Sequence, residues 1–222
     1  MNPMVKIDFV SDVSCPWCAV GLAALEEALR RIGPELRVEL HFQPFELNPD
    51  MPPGGQDITE HLTQKYGSTP EQQAASREAI RQRGAALGFL FRKEGRGRVY
   101  NTFNAHRLLH WAGIEGAKHE LALKKALLEA YFSEGLSPDD VEVLVAASTR
   151  AGLDPLRARE ILQGTEYASE VREREQFYLN QGIHAVPSVI INDQHLIQGG
   201  QPPEAFEQAL RQLKAPAGSV AA

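Results

Sequence analysis

The chain has 222 residues, 43% of them hydrophobic, with two cysteines and a formal net charge of -6 at pH 7. That length and apolar content suit one large folded domain, or a domain carrying an insertion, and exclude a disordered chain. The acidic balance speaks against a general nucleic-acid binder, and no apolar run approaches the ~20 residues of a membrane span.

Met4-Val5-Lys6-Ile7-Asp8-Phe9-Val10 alternates and predicts a strand. The N-terminus lacks a basic region followed by an apolar stretch and a small-residue cleavage site, so a cytoplasmic location is expected. Ala19 to Ile32 predicts a helix, with Leu22, Leu25, Leu29 and Ile32 on one stripe and Gly33-Pro34 as its stop. Between strand and helix lies Ser14-Cys15-Pro16-Trp17-Cys18, which holds both cysteines.

A helix N-terminus carries partial positive charge and unpaired N–H donors, and these favour the nucleophilic thiolate. Cys15, at the helix lip, is the expected attacking thiol. Cys18, one turn further in, is the expected resolving thiol, because positions i and i+3 share a helix face. Pro16 fits the first turn, where no N–H is required. Trp17 either forms part of an exposed apolar contact surface or packs against other helices. Structural zinc needs four ligands and there is no second cysteine pair, so no metal is expected. A bridge across so short a loop restrains little of the unfolded chain, so a purely stabilising disulfide is a weak account. In a cytosolic chain such a pair points to redox catalysis.

Leu36 to Phe45 alternates with period two and predicts a second strand, closing a βαβ unit. Glu46 to Gly55 is rich in turn residues and reads as a linker. Asp57 to Gly164 predicts helices throughout. Thr69-Pro70-Glu71-Gln72 is a capping box, and Ser137-Pro138-Asp139-Asp140 and Asp154-Pro155 open further helices. Leu121, Leu127, Leu128, Tyr131 and Phe132 form an apolar face. The basic stretch Phe91 to Arg98 lacks the glycine spacing of a phosphate motif and predicts a solvated loop. In Asn101 to Trp111, Phe103, Leu108 and Trp111 can pack, whereas Asn104, His106, Arg107 and His110 add polar groups to the same short helix.

Thr165 is expected to cap a charged helix running to Gln181. Ile183 to Asn192 is a β-rich run interrupted by Pro187, Asn192-Asp193-Gln194 offers a hairpin turn, and His195-Leu196-Ile197 returns as a strand. Gly199-Gly200-Gln201-Pro202-Pro203 leads into a last helix with Phe206, Leu210 and Leu213 on one face. Proline is disfavoured inside a strand, but at a strand entrance with a cis bond it is accommodated. The order predicts an α/β protein with a thioredoxin-like fold: a mixed central sheet flanked by helices, with an inserted all-helical domain. Residues 1–50 and 165–214 are expected to form the discontinuous thioredoxin-like domain, residues 57–164 the insertion, and residues 215–222 a disordered tail.

Asp12 to Cys18, Asn101 to Leu108, Val186-Pro187-Ser188 and Gly199 to Pro203 together resemble the DsbA-like branch of the thioredoxin superfamily. Within it the chain is similar to the cytosolic FrnE-like oxidoreductases. The resemblance covers nearly the whole chain, in the family's order. It implies thiol–disulfide exchange, a cis Val186-Pro187 bond beside Cys15, and a groove walled by the helical domain, with Asn104, His106 and Arg107 as candidate groove residues. Glutathione-dependent relatives, 2-hydroxychromene-2-carboxylate isomerase and kappa-class glutathione transferase, carry serine at the first cysteine. Secreted members usually carry a signal peptide and a Cys-Pro-His-Cys motif, and this chain departs on both counts.

The expected cycle begins with attack of Cys15 on a disulfide and ends with displacement by Cys18. The backbone of Val186 is placed to pair with a substrate chain like an added strand. Asp8 on the first strand, or Asp12 in the following loop, is the expected acceptor of the Cys18 proton. The expected partner is a disulfide- or dithiol-containing protein or a small thiol, with no nucleic acid and no membrane, for a monomer or homodimer. No cofactor is expected beyond the Cys15–Cys18 redox pair, with glutathione as a candidate co-substrate. Three function classes follow: a protein disulfide oxidoreductase or isomerase, a glutathione-dependent isomerase or transferase of small molecules, and a thiol redox sensor.

Overall fold

The computed structural model describes residues 4–214. The first unit is β1 (Met4–Ser11), α1 (Pro16–Ile32), a 3-10 turn (Gly33–Glu35) and β2 (Arg37–Pro44). β1 and β2 pair in parallel, with Ile7 opposite Leu40 and Phe9 opposite Phe42. Near the C-terminus come α8 (Ala168–Asn180), β5 (Ser188–Ile191), β6 (His195–Gln198) and α9 (Pro203–Lys214). β5 runs antiparallel to β1, and β6 antiparallel to β5, giving the order β2-β1-β5-β6. The mixed sheet and flanking helices are those the sequence predicts. Asn192 and Asp193, both at positive φ, make the hairpin turn. Thr165 does not cap α8; the helix begins at Ala168, after Tyr167 at φ 62°.

Alternation along β1 sorts its side chains between two faces. Ile7 and Phe9 pack with Cys18, Leu22 and Leu25 of α1 and with Phe206 and Leu210 of α9. Val10 faces the other way, toward Tyr178 of α8 and Ile183. Asp8 shares the parity of Val10 and therefore the α8 face.

Between β2 and α8 lie α2 (Ile58–Tyr66), α3 (Pro70–Ala86), α4 (Phe103–Glu115), α5 (Ala117–Glu129), a π turn (Ala130–Glu134), α6 (Val141–Arg150) and α7 (Pro155–Gln163). The capping box at Thr69 and Gln72 is formed, and Asp140 and Asp154 cap α6 and α7. This stretch is not helical throughout. Two-residue strands β3 (Gln56–Asp57) and β4 (Arg98–Val99) pair antiparallel within it. Leu108, Leu123, Leu127, Leu144 and Ile161 make a helical core, whereas Leu128, Tyr131 and Phe132 join the core beneath the sheet. The helices are thus welded to the sheet through α5 and the π turn. The expected tail, 215–222, lies outside the described residues. No helix among the described residues is long and apolar enough to cross a membrane.

Candidate active site

Cys15 is the N-cap of α1, with extended backbone (φ -91°, ψ 114°), and Pro16 opens the helix behind it. The Cys15 carbonyl accepts the first intrahelical bonds from the N–H of Cys18 at 3.0 Å and of Ala19 at 3.4 Å. Its Sγ points to the carbonyl oxygen of Val186, 3.7 Å away, across the entrance of β5. The Val186–Pro187 peptide is cis. Pro187 packs on α1 at Gly21, where a Cβ would come within 3.1 Å of the proline ring. Both cysteines are free thiols, Cys15 just reached by solvent at 4% exposure and Cys18 fully buried.

The two thiols are electrostatically unequal. The adjacent Cys18 thiol holds the Cys15 thiol below its ordinary value against the opposing pull of burial, helped by the Cys18 N–H and by the cation of Arg96. Burial, followed by the nearby Cys15, pushes the Cys18 thiol well up. The pair therefore carries its charge on Cys15, where a nucleophile is needed.

A groove of about 620 Å³ opens over the Cys15 sulfur. Its floor is Ser14 to Trp17 with Val186, and its far wall comes from α2, α3 and the loop before β4. Trp17 lines this groove and also meets the rest of the fold. The Arg83 guanidinium lies 5.4 Å over its ring, and Gly200 lies so close that a Cβ there would be 2.8 Å from Trp17 Cε3. Trp17 thus lines the groove and packs against Arg83 and Gly200 at once.

The expected proton acceptors are placed elsewhere in role. Asp8 lies across the sheet from α1. Its carboxylate takes the Lys6 ammonium at 2.9 Å and the Gln43 amide at 2.5 Å. Asp12 is fully buried and clamps the turn before Cys15. It accepts from Ser14 N at 3.0 Å, Ser14 Oγ at 2.9 Å and Leu47 N at 2.7 Å. Burial pushes its carboxyl up, but His106, 3.7 Å away, and those N–H groups bring it down to about 2. A carboxylate so acidic holds no proton at neutral pH, so Asp12 is a brace for the loop and not a base.

Asn104, His106 and Arg107 do not line the groove. Arg107 caps the end of α7: its guanidinium donates to the Ile161 carbonyl, to the Gly164 carbonyl at 2.8 Å and to the Glu166 carbonyl at 2.8 Å. Asn104 Oδ1 steadies Arg107 at 2.9 Å. His106 stands behind Asp12. The helical region does wall the groove, but with His61, Tyr66, Gln73, Arg77 and Arg81 instead.

Sequence reasoning missed Arg96, which it assigned to a solvated loop. Arg96 is half-buried, donates to the Ser14 carbonyl at 2.8 Å, and lies 5.7 Å over the Phe132 ring. Nothing in its local sequence marks it, because its hydrogen-bond partner Ser14 is 82 residues away. It also missed Lys124, which is 0% exposed. Here a signal existed: Lys124 falls between Leu121 and Leu128 on the apolar face of α5.

The model of the DSBA-like thioredoxin domain family matches residues 6–211. An uncharacterized protein of Bacillus subtilis strain 168, YwbO, is 28% identical over 207 residues, covering 93% of this chain and 96% of that one. The crystal structure of a probable DsbA oxidoreductase from Streptomyces coelicolor is 34% identical, with a TM-score of 0.85 over 98% of this chain and 94% of that chain. The cytosolic disulfide reductase DsbM of Pseudomonas aeruginosa, solved with GSH, shares the fold at 16% identity and a TM-score of 0.63, over 95% of this chain and all 100% of that chain.

Proposed function

The chain belongs to the DSBA-like thioredoxin domain family, and we propose that it acts as a thiol–disulfide oxidoreductase through the Cys15-Pro16-Trp17-Cys18 pair. The observation that carries this reading is the asymmetry of the two thiols: a Cys15 thiol of lowered pKa at the floor of an open groove, above a sealed Cys18. The Cys15 thiolate attacks one sulfur of a substrate disulfide. A Cys15–substrate bond forms, the substrate S–S bond breaks, and the departing sulfur leaves as thiolate. Cys18 then attacks Cys15 Sγ, closing the Cys15–Cys18 disulfide and releasing the second substrate thiolate. The substrate gains two electrons and the pair loses them; the reverse sequence oxidises a dithiol. The carbonyl of Val186, which the Cys15 Sγ meets at 3.7 Å, offers a backbone contact to an extended chain beside Cys15. The substrate is a disulfide- or dithiol-containing protein in the cytoplasm, the setting named for the Pseudomonas reductase.

A second reading has its own support. No carboxylate lines the groove, and Arg77 and Arg96 have no carboxylate against them among the described residues. Such a wall suits an anionic small thiol, so glutathione is proposed as a co-substrate that returns the pair to its dithiol form.

The test is capture by Cys18→Ser. This variant should hold its partners through Cys15, and reduction of a non-reducing pull-down should release specific proteins for mass spectrometry. Glutathione as the sole adduct would shift the reading to a small-molecule enzyme. Reactive Cys15 without any adduct would leave a redox sensor. Cys15→Ser is the control and should capture nothing.

A further inference from the structure

Attack on a disulfide moves negative charge. It starts on Cys15 Sγ and ends on the departing substrate sulfur, two S–S lengths or about 4–5 Å away in the groove. A group that steadies only the starting thiolate holds the reaction back. A group that meets the charge where it arrives speeds it. Cys18, which favours the Cys15 anion through its thiol and its N–H, is sealed in the core and does not line the groove.

Arg96 is the cation on the groove side. Gly95, at φ 74°, turns the chain just before it, and the stem of Arg77 fills the space where a Cβ on Gly95 would stand 2.6 Å from Arg77 Cδ. Arg96 Nη1 donates at 2.8 Å to the Ser14 carbonyl, which belongs to the peptide unit joining Ser14 to Cys15. The rings of Phe132 and Tyr131, 5.7 and 5.9 Å from the guanidinium carbon, hold it in place. A guanidinium carries several N–H donors in one plane, so the bond to Ser14 leaves others for the groove that Arg96 lines. No carboxylate lines that groove to neutralise it. Of the other arginines there, Arg81 pairs with Glu78 at 2.8 Å and Arg92 with Glu94 at 3.6 Å. Among the described residues, Arg96 is the groove arginine whose hydrogen bond reaches the active-site turn.

We infer that Arg96 is a further catalytic residue of the exchange, receiving the thiolate that departs when Cys15 attacks a substrate disulfide. This rests on the exchange reading above. The Cys15 thiolate forms a bond to the near substrate sulfur, the substrate S–S bond breaks, and its electron pair goes to the far sulfur. That sulfur leaves as a thiolate and accepts an N–H of Arg96. No proton is transferred, because a guanidinium stays charged. The same cation favours the resting Cys15 thiolate, so it attends the charge at both ends of its movement. The inference also names the substrates that need it. A cysteine thiolate, with an ordinary pKa of about 8.5, is a poor leaving group, so cysteine disulfides depend on such a receiver. Disulfides of acidic aromatic thiols do not.

The test uses the full chain, reduced, in single turnover with two uncharged disulfides, so that steering by the groove's charge plays no part. Dipyridyl disulfide releases an acidic thiol, and bis-hydroxyethyl disulfide releases an alkyl thiol. Loss of the dithiol form is followed by acid quench and mass spectrometry. Each rate is referred to the Cys15 thiolate fraction titrated for that protein. Arg96→Met should slow attack on the alkyl disulfide roughly 10²-fold and attack on the dipyridyl disulfide by less than about fivefold. Equal slowing on both would overturn the inference and leave Arg96 as a brace for the turn. Unchanged rates on both would overturn it as well. Arg96→Gln keeps an amide donor for the Ser14 carbonyl without the charge, which guards against a collapsed turn. It should show the same selective loss, and a wild-type ratio of the two rates in this variant would overturn the inference. Wild-type protein that exchanged with neither disulfide would instead sink the exchange reading.

Discussion

At the scale of single residues, the site depends on groups whose charge is fixed by neighbours. Asp12 is the clearest. Its carboxylate satisfies three donors in the turn that presents Cys15, and it is held at about 2. A carboxyl depressed in the folded state contributes stability that is fully present above its unfolded value near 4 and is lost as pH falls toward 2. The contribution is on the order of 2 kcal/mol. Asp12→Asn should therefore be less stable than wild type by about that amount in urea at pH 6, and the gap should narrow steadily in titrations carried below pH 4. A gap that did not depend on pH would assign the loss to shape and not to charge. Cys15 follows the same logic: the Cys18 thiol, an N–H and Arg96 favour its anion although the sulfur is nearly buried.

At the scale of elements, the active-site turn is gripped from three directions. α1 presents Cys15 and Trp17, the entrance of β5 brings Val186 and Pro187 against them, and the loop into α9 brings Gly200 beneath the indole. Arg83 of α3 closes the fourth side of Trp17. Gly200→Ala would put a Cβ 2.8 Å from Trp17 Cε3, so the indole or the loop must shift. The expected cost is about 1–3 kcal/mol of overpacking, read as a lower melting temperature. The indole emission should shift as well. An unchanged melting temperature with unchanged emission would mean that the loop before α9 yields freely. The legible part at this scale was large. Strand parity, the capping box at Thr69 and the hairpin at Asn192 are local codes written in a few residues each. Thr165 was one exception, because Tyr167 takes a left-handed conformation and delays the helix to Ala168, and the β3–β4 pair inside the helical stretch was another.

At the scale of the whole molecule, the groove exists only because residues far apart in sequence face one another. Its floor comes from Ser14 to Trp17 and Val186, and its wall from Arg77, Arg81 and Arg96. Arg81 is paired with Glu78 at 2.8 Å, which leaves Arg77 and Arg96 to set the sign of the field. Association with an anionic disulfide should be faster than with a cationic one of similar size, by roughly tenfold at low salt, and the difference should fall as salt is added. Arg77→Glu should remove most of that preference while leaving the Cys15 thiol titration unchanged. A preference that survives both high salt and Arg77→Glu would locate selectivity in shape instead.

The sequence by itself determined the mixed sheet with its helical insertion, and it marked Cys15 and Cys18 at a strand-to-helix junction. Those features follow from alternation, helix spacing and the N-terminal field of α1, all of which act over a few residues. Tertiary structure decided which polar groups serve the site. Asp8 was drawn away because alternation on β1 turns it toward α8, and Asp12 because three donors lock its charge. Asn104 and Arg107 went to the end of α7, whose carbonyls needed donors. Arg96 entered because long-range packing carried it to the Ser14 carbonyl, and the same packing buried Lys124 against the Phe42 ring. Charge is cheap to write anywhere in a chain, and only the surrounding fold sets whether it is solvated, paired or buried without a partner.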